Sequence, residues 1–396
     1  MISKDMLSLG TRRSSIRELF EYGRKRKAEI GKENVFDFSL GNPNVPPPPE
    51  VKEAIFELLE ERSELELHGY TSAQGDAEVR ATIAESLNSR FDVEFSPDNI
   101  YMSTGAAASL CISLKALVVT GNNIIGFAPF FPEYKVFAEA TGAAFKPLQP
   151  DPKNLQIDTQ TLENTIDRHT KAIILNSPNN PSGVVYSEAT ILEVCRVLAK
   201  KSAEYGHTIY IISDEPYREL VYDGVKVPFL VKYYKDTIMC YSYSKSLSLP
   251  GERIGYIAVS PYMQNSSEVY AAICGAGRAL GYVCAPSLFQ RVAARCEGKT
   301  SDINIYKNNR DLLYDSLTSY GYQCVKPDGA FYLFIKSMEE DAKAFCERAK
   351  KHELLLVAGD DFGCPGYARV AYCVPTEQIT NALPAFKSLA EDYNIS

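Results

Sequence analysis

Hydrophobic positions along the chain follow two alternating rhythms. Continuous apolar runs recur at 99–103, 123–127, 171–175, 208–212, 237–241 and 254–259. Between them, at 76–90, 105–118, 134–141 and 187–204, apolar residues repeat every three to four positions. A short unbroken apolar run suits a strand buried on both faces, and the longer period suits an amphipathic helix. The alternation predicts an α/β fold, with a mostly parallel sheet flanked by helices. Asp76 and Ser187 stand where helix N-caps belong. Upstream, residues 12–30 read as an exposed helix and 35–40 as a strand leading into Gly41-Asn42-Pro43. The prolines at 46–49 favour an extended connection, and a helix over 50–62 follows. After about residue 290 the rhythm changes. Helical stretches at 302–319 and 341–351 alternate with apolar runs at 330–335 and 368–372, a smaller α+β unit. The expected division is an N-terminal segment over 1–48, a large domain over 49–288 and a small domain over 289–396. The N-terminal residues are expected to return to the small domain, since chain ends often lie close together.

A chain of 396 residues has room for two domains. Its net charge of −8 argues against nucleic acid as a partner. The basic cluster Arg24 to Lys27 is flanked by Glu18, Glu21, Glu29 and Glu33, the pattern of a solvated helix face. Ten cysteines occur without a Cys-x-x-Cys pair, as expected of free thiols in a reducing compartment. The four histidines lack metal-ligand spacing, so no metal is expected. Without an 18-residue apolar run or a secretory leader, the expectation is a soluble cytoplasmic protein with no membrane partner.

Ligands of open α/β sheets collect at the carboxyl ends of the strands. Lys245 follows the run 237–241, between Ser242 and Ser244, with Arg253 eight residues on. An amine beside phosphate-binding groups suggests a Schiff base with a phosphorylated aldehyde cofactor; a surface lysine on a polar loop is the alternative. Asp214 follows the run 208–212. An ionised carboxylate there would keep a pyridine nitrogen protonated; a helix N-cap is the alternative. Asn180, in Asn176-Ser177-Pro178-Asn179-Asn180-Pro181-Ser182-Gly183, and Tyr217 have the donors to hold a phenolic oxygen, although that stretch also suits a plain turn. Gly105, Ala106 and Ala107 open a helix whose amides can meet an anion. Phe130 and Phe131 offer a ring to stack on a flat cofactor, or belong to the core. Arg369, inside an apolar run, either grips a substrate carboxylate or closes an internal salt bridge.

From about Phe36 to Val374, these pieces together resemble the class I/II aminotransferases, fold-type I enzymes that use pyridoxal 5′-phosphate. The matching pieces are Gly41-Asn42-Pro43, Tyr70 to Gly75, Ser103 to Ala106, Asn176 to Gly183, Asp214-Glu215-x-Tyr217, Ser242 to Tyr256 and Arg369. The resemblance implies a seven-stranded sheet and a homodimer with shared active sites. It gives catalytic roles to Lys245, Asp214 and Tyr217. It places the phosphate on Ser242, Ser244, Arg253 and the amides of Gly105, Ala106 and Ala107. The phenolic oxygen falls to Asn180 and Tyr217, and the stacking ring to Phe131. Tyr70 is implied to reach the neighbouring subunit's phosphate. Gly41, Asn180 and Arg369 are implied to meet substrate. Two features depart from the family pattern: Leu249-Pro250-Gly251-Glu252 stands where many relatives carry Gly-Leu or Gly-Met, and the Ala106-Ala107 pair lacks a hydroxyl that some use on the phosphate.

The expected activity is ping-pong transfer of an amino group from an L-amino acid, aspartate or glutamate favoured, to a 2-oxo acid. Arg278 lies in the general region where dicarboxylate-selective relatives place a second cation. A C–S β-lyase or another reaction on the same cofactor is the alternative, and a non-enzymatic cofactor-binding regulator is a further one.

Overall fold

The computed structural model describes residues 2–11 and 15–394. Residues 12–14, the start of the expected helix 12–30, lie outside the described residues; the helix itself runs Ser15–Ile30. The strands are β1 (Phe36–Asp37), β2 (Ile100–Ser103), β3 (Asn123–Phe127), β4 (Ala144–Leu148), β5 (Thr170–Asn176), β6 (Tyr210–Asp214), β7 (Thr237–Ser242), β8 (Gly255–Val259), β9 (Tyr332–Lys336), β10 (Leu354–Leu355), β11 (Val357–Ala358) and β12 (Tyr367–Ala371).

Seven of these strands form one sheet in the order β2-β8-β7-β6-β5-β3-β4. All pairings are parallel except those of β8, which runs antiparallel to β2 and β7. The central strands are buried along nearly their whole length, which explains their unbroken apolar runs. Helices Ala106–Leu117 and Ser266–Leu280 pack against each other on one face. Helix Glu188–Tyr205 contributes Ile191, Val194, Val197 and Leu198 to an apolar cluster with Ile173, Leu175, Ile209 and Ile211.

β4 was missed by the apolar-run reading. Its sequence Ala-Phe-Lys-Pro-Leu is mixed, and Pro147 would disqualify an interior strand. β4 is the edge of the sheet, where the missing N–H of proline costs no ladder bond. The expected strand 208–212 shifts by two residues. Parallel pairing of Ile174 with Ile212 and Asn176 with Asp214 carries β6 through to the aspartate itself. The expected strand 35–40 shortens to Phe36–Asp37, because the Asp37 carboxylate turns to Ser39 and Lys27.

The C-terminal part forms a three-stranded antiparallel sheet, β11-β12-β9. Helices Ile303–Ser319 and Thr376–Glu391 pack together beside it. The N-terminal segment does return to this region, where β1 pairs in parallel with β10. Ala371 N–H also donates to Phe38 O at 3.0 Å, seating residues 36–39 beside β12.

Helix Ala77–Phe91 starts at Asp76, whose Oδ1 accepts from Glu78 N–H at 2.9 Å and Val79 N–H at 3.4 Å. Its Oδ2 also takes the Arg291 guanidinium at 2.7 Å. Asp76→Ala is expected to lower unfolding stability by about 1–2 kcal/mol. Urea denaturation checks this, with the midpoint falling at unchanged slope.

Candidate active site

The carboxyl ends of β5, β6 and β7 border a cavity of about 320 Å³. It is lined by Gly41, Ala106, Ala107, Phe131, Asn180, Asp214, Tyr217, Ser242, Ser244, Lys245, Arg253 and Arg369, residues scattered over most of the chain. Register explains the convergence. Asn176 lies level with Asp214, and Asp214 with Cys240, two residues before β7 ends at Ser242.

Lys245 sits in a one-turn helix, Tyr243–Ser246, that starts directly from β7. Ser242 caps that turn by accepting from Ser244 N–H, and its hydroxyl donates to the Ser244 hydroxyl at 2.8 Å. The Lys245 amine donates to Gly41 O at 2.7 Å. Burial lowers its pKa to about 8, Cys373 opposes the change, and Arg253 and Arg369 add to it. Such an amine is partly unprotonated near neutral pH, the form that attacks a carbonyl.

Asp214 ends β6 and is buried. Tyr134 donates its hydroxyl to Asp214 Oδ2, while Oδ1, shut away from solvent, has no partner among the described residues. Burial raises this carboxyl to about 7, with the Tyr134 hydrogen bond opposing the rise and Glu215 adding to it. Asn176 fastens the strand end by donating to Asp214 O at 2.9 Å. A buried carboxylate oxygen left unpartnered is costly, so a protonated ring nitrogen is the kind of group that fits beside it.

Arg369 lies on β12 with 3% of its surface exposed. Its Nη1 donates to Asn180 Oδ1 at 3.1 Å and its Nη2 to Ser39 O at 2.5 Å, while Nε is buried without a partner among the described residues. The rings of Tyr332 and Phe362 hold the guanidinium, each centroid 4.8 Å away. No carboxylate pairs with it among the described residues. Asn180 gives its carbonyl oxygen to Arg369, so its NH2 is the group free to face a ligand.

On the remaining side, helix Ala106–Leu117 presents its first turn, whose N–H groups lack helical acceptors. Gly105 precedes it at φ +91°, and a Cβ there would lie 2.9 Å from Arg253 Nη2. The absent side chain leaves a cradle between the helix start, Arg253 and Ser244, suited to a phosphate. Arg253 reaches Ser244 Oγ at 3.4 Å. Of the two adjacent phenylalanines, Phe131 lines the cavity, whereas Phe130 packs on Phe145 in the core.

Two residues stay apart. Tyr70 is 97% exposed and outside this cavity. Arg278 stands exposed on helix Ser266–Leu280 and also outside it. Pro216 and Pro250, inside the quoted stretches but given no role there, also line the cavity. Ile16, Leu110 and Tyr332, and Tyr134 behind Asp214, had no motif to reveal them. The proline of the departing stretch Leu249 to Glu252 is thus part of the wall.

Known proteins share this arrangement of elements. A crystal structure of an amino transferase from Eubacterium rectale superposes with a TM-score of 0.98 at 57% identity, covering 100% of this chain and 99% of that one. An aspartate aminotransferase of Thermotoga maritima is 30% identical over 93% of this chain and 95% of its own length. A probable aspartate aminotransferase of Methanocaldococcus jannaschii is 29% identical over 96% of this chain and 97% of its own. Fold and matches define the class of protein as an enzyme that transfers amino groups. More narrowly, the family model for aminotransferase class I and II matches residues 33–386, and the chain belongs to that pyridoxal 5′-phosphate-dependent family. The unpartnered Asp214 Oδ1, the cradle at Gly105 and the amine of Lys245 fit that cofactor's ring nitrogen, phosphate and aldehyde.

Because the Lys245 amine is mostly protonated below about pH 8, covalent uptake of pyridoxal 5′-phosphate by cofactor-free protein should quicken about tenfold from pH 6 to 7 and level off above 8. Stopped-flow absorbance measures the rate. A profile without that bend would assign the reacting amine elsewhere.

Proposed function

We propose that this aminotransferase moves the amino group of L-aspartate or L-glutamate to a 2-oxo acid by a ping-pong cycle. The observation that carries the site assignment is a lowered-pKa amine, Lys245, held in one cavity with two unpartnered buried atoms of opposite character, Asp214 Oδ1 and Arg369 Nε. Pyridoxal 5′-phosphate supplies the covalent carrier for the amino group and the electron sink for breaking the Cα–H bond. Lys245 would hold its aldehyde, and the freed Nζ would be the base that takes up the substrate's Cα proton. Asp214 keeps the ring nitrogen protonated, and Tyr134 holds that carboxylate in place. Asn180 and Tyr217 hold the phenolic oxygen. Ser242, Ser244, Arg253 and the first-turn amides of Gly105, Ala106 and Ala107 hold the phosphate, with Phe131 on the ring face. Arg369 binds the substrate α-carboxylate through Nε and Nη, and the Gly41 segment closes over it.

The aspartate aminotransferase of Thermotoga and the probable one of Methanocaldococcus support aspartate as donor. A homodimer with shared sites is part of the same reading. Tyr70 is exposed, and its segment is bonded to residues 282–284 through Cys284 Sγ and Thr71 O at 3.4 Å. Tyr282 and Val283 are exposed beside it, forming an apolar surface that a second copy would cover. The three-part division at residues 48 and 288 and a cytoplasmic location belong to this reading too.

Mixing the holoenzyme with each amino acid alone identifies the donor, since the true donor bleaches the visible cofactor band fastest. Pyruvate and ammonia released without an acceptor would instead select β-elimination. Lys245→Ala is expected to abolish turnover and the covalent band. Arg369→Ala should raise the dissociation constant of a simple carboxylate inhibitor at least about tenfold, the worth of one charge-assisted hydrogen bond. Unchanged affinity by titration calorimetry would remove Arg369 from the substrate site.

A further inference from the structure

Tyr332 had no task in the sequence pattern, yet it stands between two of the groups that matter most in the cavity. It lies on β9, fully buried. Its hydroxyl is 2.9 Å from that of Tyr217, and the two rings meet edge to face with centroids 5.8 Å apart. The face of its ring carries the Arg369 guanidinium at 4.8 Å. Gly41 presses on it from a third side, where a Cβ would lie 1.9 Å from the Tyr332 hydroxyl. The titratable groups facing Tyr332 are Arg369, Cys373 and Tyr217.

A phenol enclosed in this way has a restricted choice of partner. Burial raises its pKa to about 12 while Arg369 works against the rise, so the hydroxyl keeps its proton and can donate. A cation against the ring face draws electron density from the phenol and strengthens its O–H as a donor. Tyr217 lies on the Lys245 side, with the amine 6.0 Å from its ring. When Tyr217 spends its own proton on the cofactor's phenolic oxygen, its lone pairs are left to accept from Tyr332.

We infer that Tyr332 is a positioning residue that transmits the charge state of Arg369 to Tyr217, and through Tyr217 to the bound cofactor. This rests on the reading above in which Tyr217 faces the phenolic oxygen. A carboxylate on Arg369 neutralises the guanidinium, weakens the Tyr332 donor and loosens the hold of Tyr217. The direct Arg369–Asn180 bond is a parallel route, so Tyr332 carries a share of the coupling and not all of it.

Tyr332→Phe keeps the ring under Arg369 and removes only the hydroxyl. The measurement is the pH midpoint at which the visible band of the bound cofactor changes, in wild-type holoenzyme, Tyr332→Phe, Tyr217→Phe and the double variant. Tyr332→Phe should raise the midpoint by about 0.5–1 pH unit, a threefold to tenfold change in proton affinity. In the Tyr217→Phe background the same substitution should add nothing, which a merely structural role would not produce. Saturating succinate should move the midpoint less in Tyr332→Phe than in wild type. A wild-type midpoint in Tyr332→Phe, or an equal shift with Tyr217 already replaced, overturns the inference. If Tyr332→Phe does not fold, the succinate-induced shift is compared between wild type and Tyr217→Phe, and an equal shift overturns it. A Tyr217→Phe midpoint identical to wild type would remove the Tyr217 assignment itself. A silent Tyr332→Phe beside an altered Tyr217→Phe leaves that assignment standing.

Discussion

Parallel pairing of β5, β6 and β7 is the constraint on which the cavity depends. Parallel neighbours place their carboxyl ends on one edge, and register puts Asn176, Asp214 and Cys240 in line across it. A slip of one residue in β6 would turn Asp214 to the opposite face of the sheet. The apolar runs that hold this register are therefore also what aims the polar ends. Burial on both faces leaves β6 little freedom to shift, since Ile211 and Ile212 are each fully enclosed on opposite faces.

The same enclosure sets the electrostatics. Burial is the largest cause of every principal shift here, lowering the Lys245 amine and the Arg369 guanidinium and raising the Asp214 carboxyl. Each group is moved toward its neutral form, and each is left short of a counter-charge. Arg369 has rings, an amide oxygen and a backbone carbonyl around it instead of a carboxylate. Asp214 has one phenol for two oxygens. The deficits are complementary to a cationic ring nitrogen and an anionic carboxylate, the two charges that a pyridinium cofactor and an amino-acid substrate bring.

Much of this was legible along the chain because the informative residues sit where a strand ends. An apolar run followed by Asp214, by Asn176 to Asn180 or by Ser242 to Lys245 is a local signal, and the strand geometry converts it into a place. Asp76 and Ser187 were legible as caps for the same reason, since a cap acts on the turn it begins. Tyr134 and Tyr332 gave no such signal. Tyr134 is an ordinary apolar position of helix Glu133–Ala140, and Tyr332 an ordinary strand position beside Phe331 and Leu333. Their hydroxyls acquire meaning from partners 80 and 115 residues away. The edge strand β4 was hidden by Pro147, because the rule against proline depends on whether a neighbour lies on both sides.

The amino-acid sequence by itself determined the layered α/β architecture, the placement of Lys245, Asp214 and Asn180 just at or after strand ends, and the family resemblance. These rest on periodicity and on residues close together in the chain. Only the tertiary structure decided which phenylalanine faces the cavity, that Arg369 has no acidic partner among the described residues, and that Tyr332 stands between it and Tyr217. The physical reason is that a hydrogen bond or a ring contact depends on direction and a few ångströms of distance. Between β9, β12 and the segment after β6, those distances are set by how the antiparallel sheet packs against that segment, where Tyr217 meets Phe331 and Tyr332.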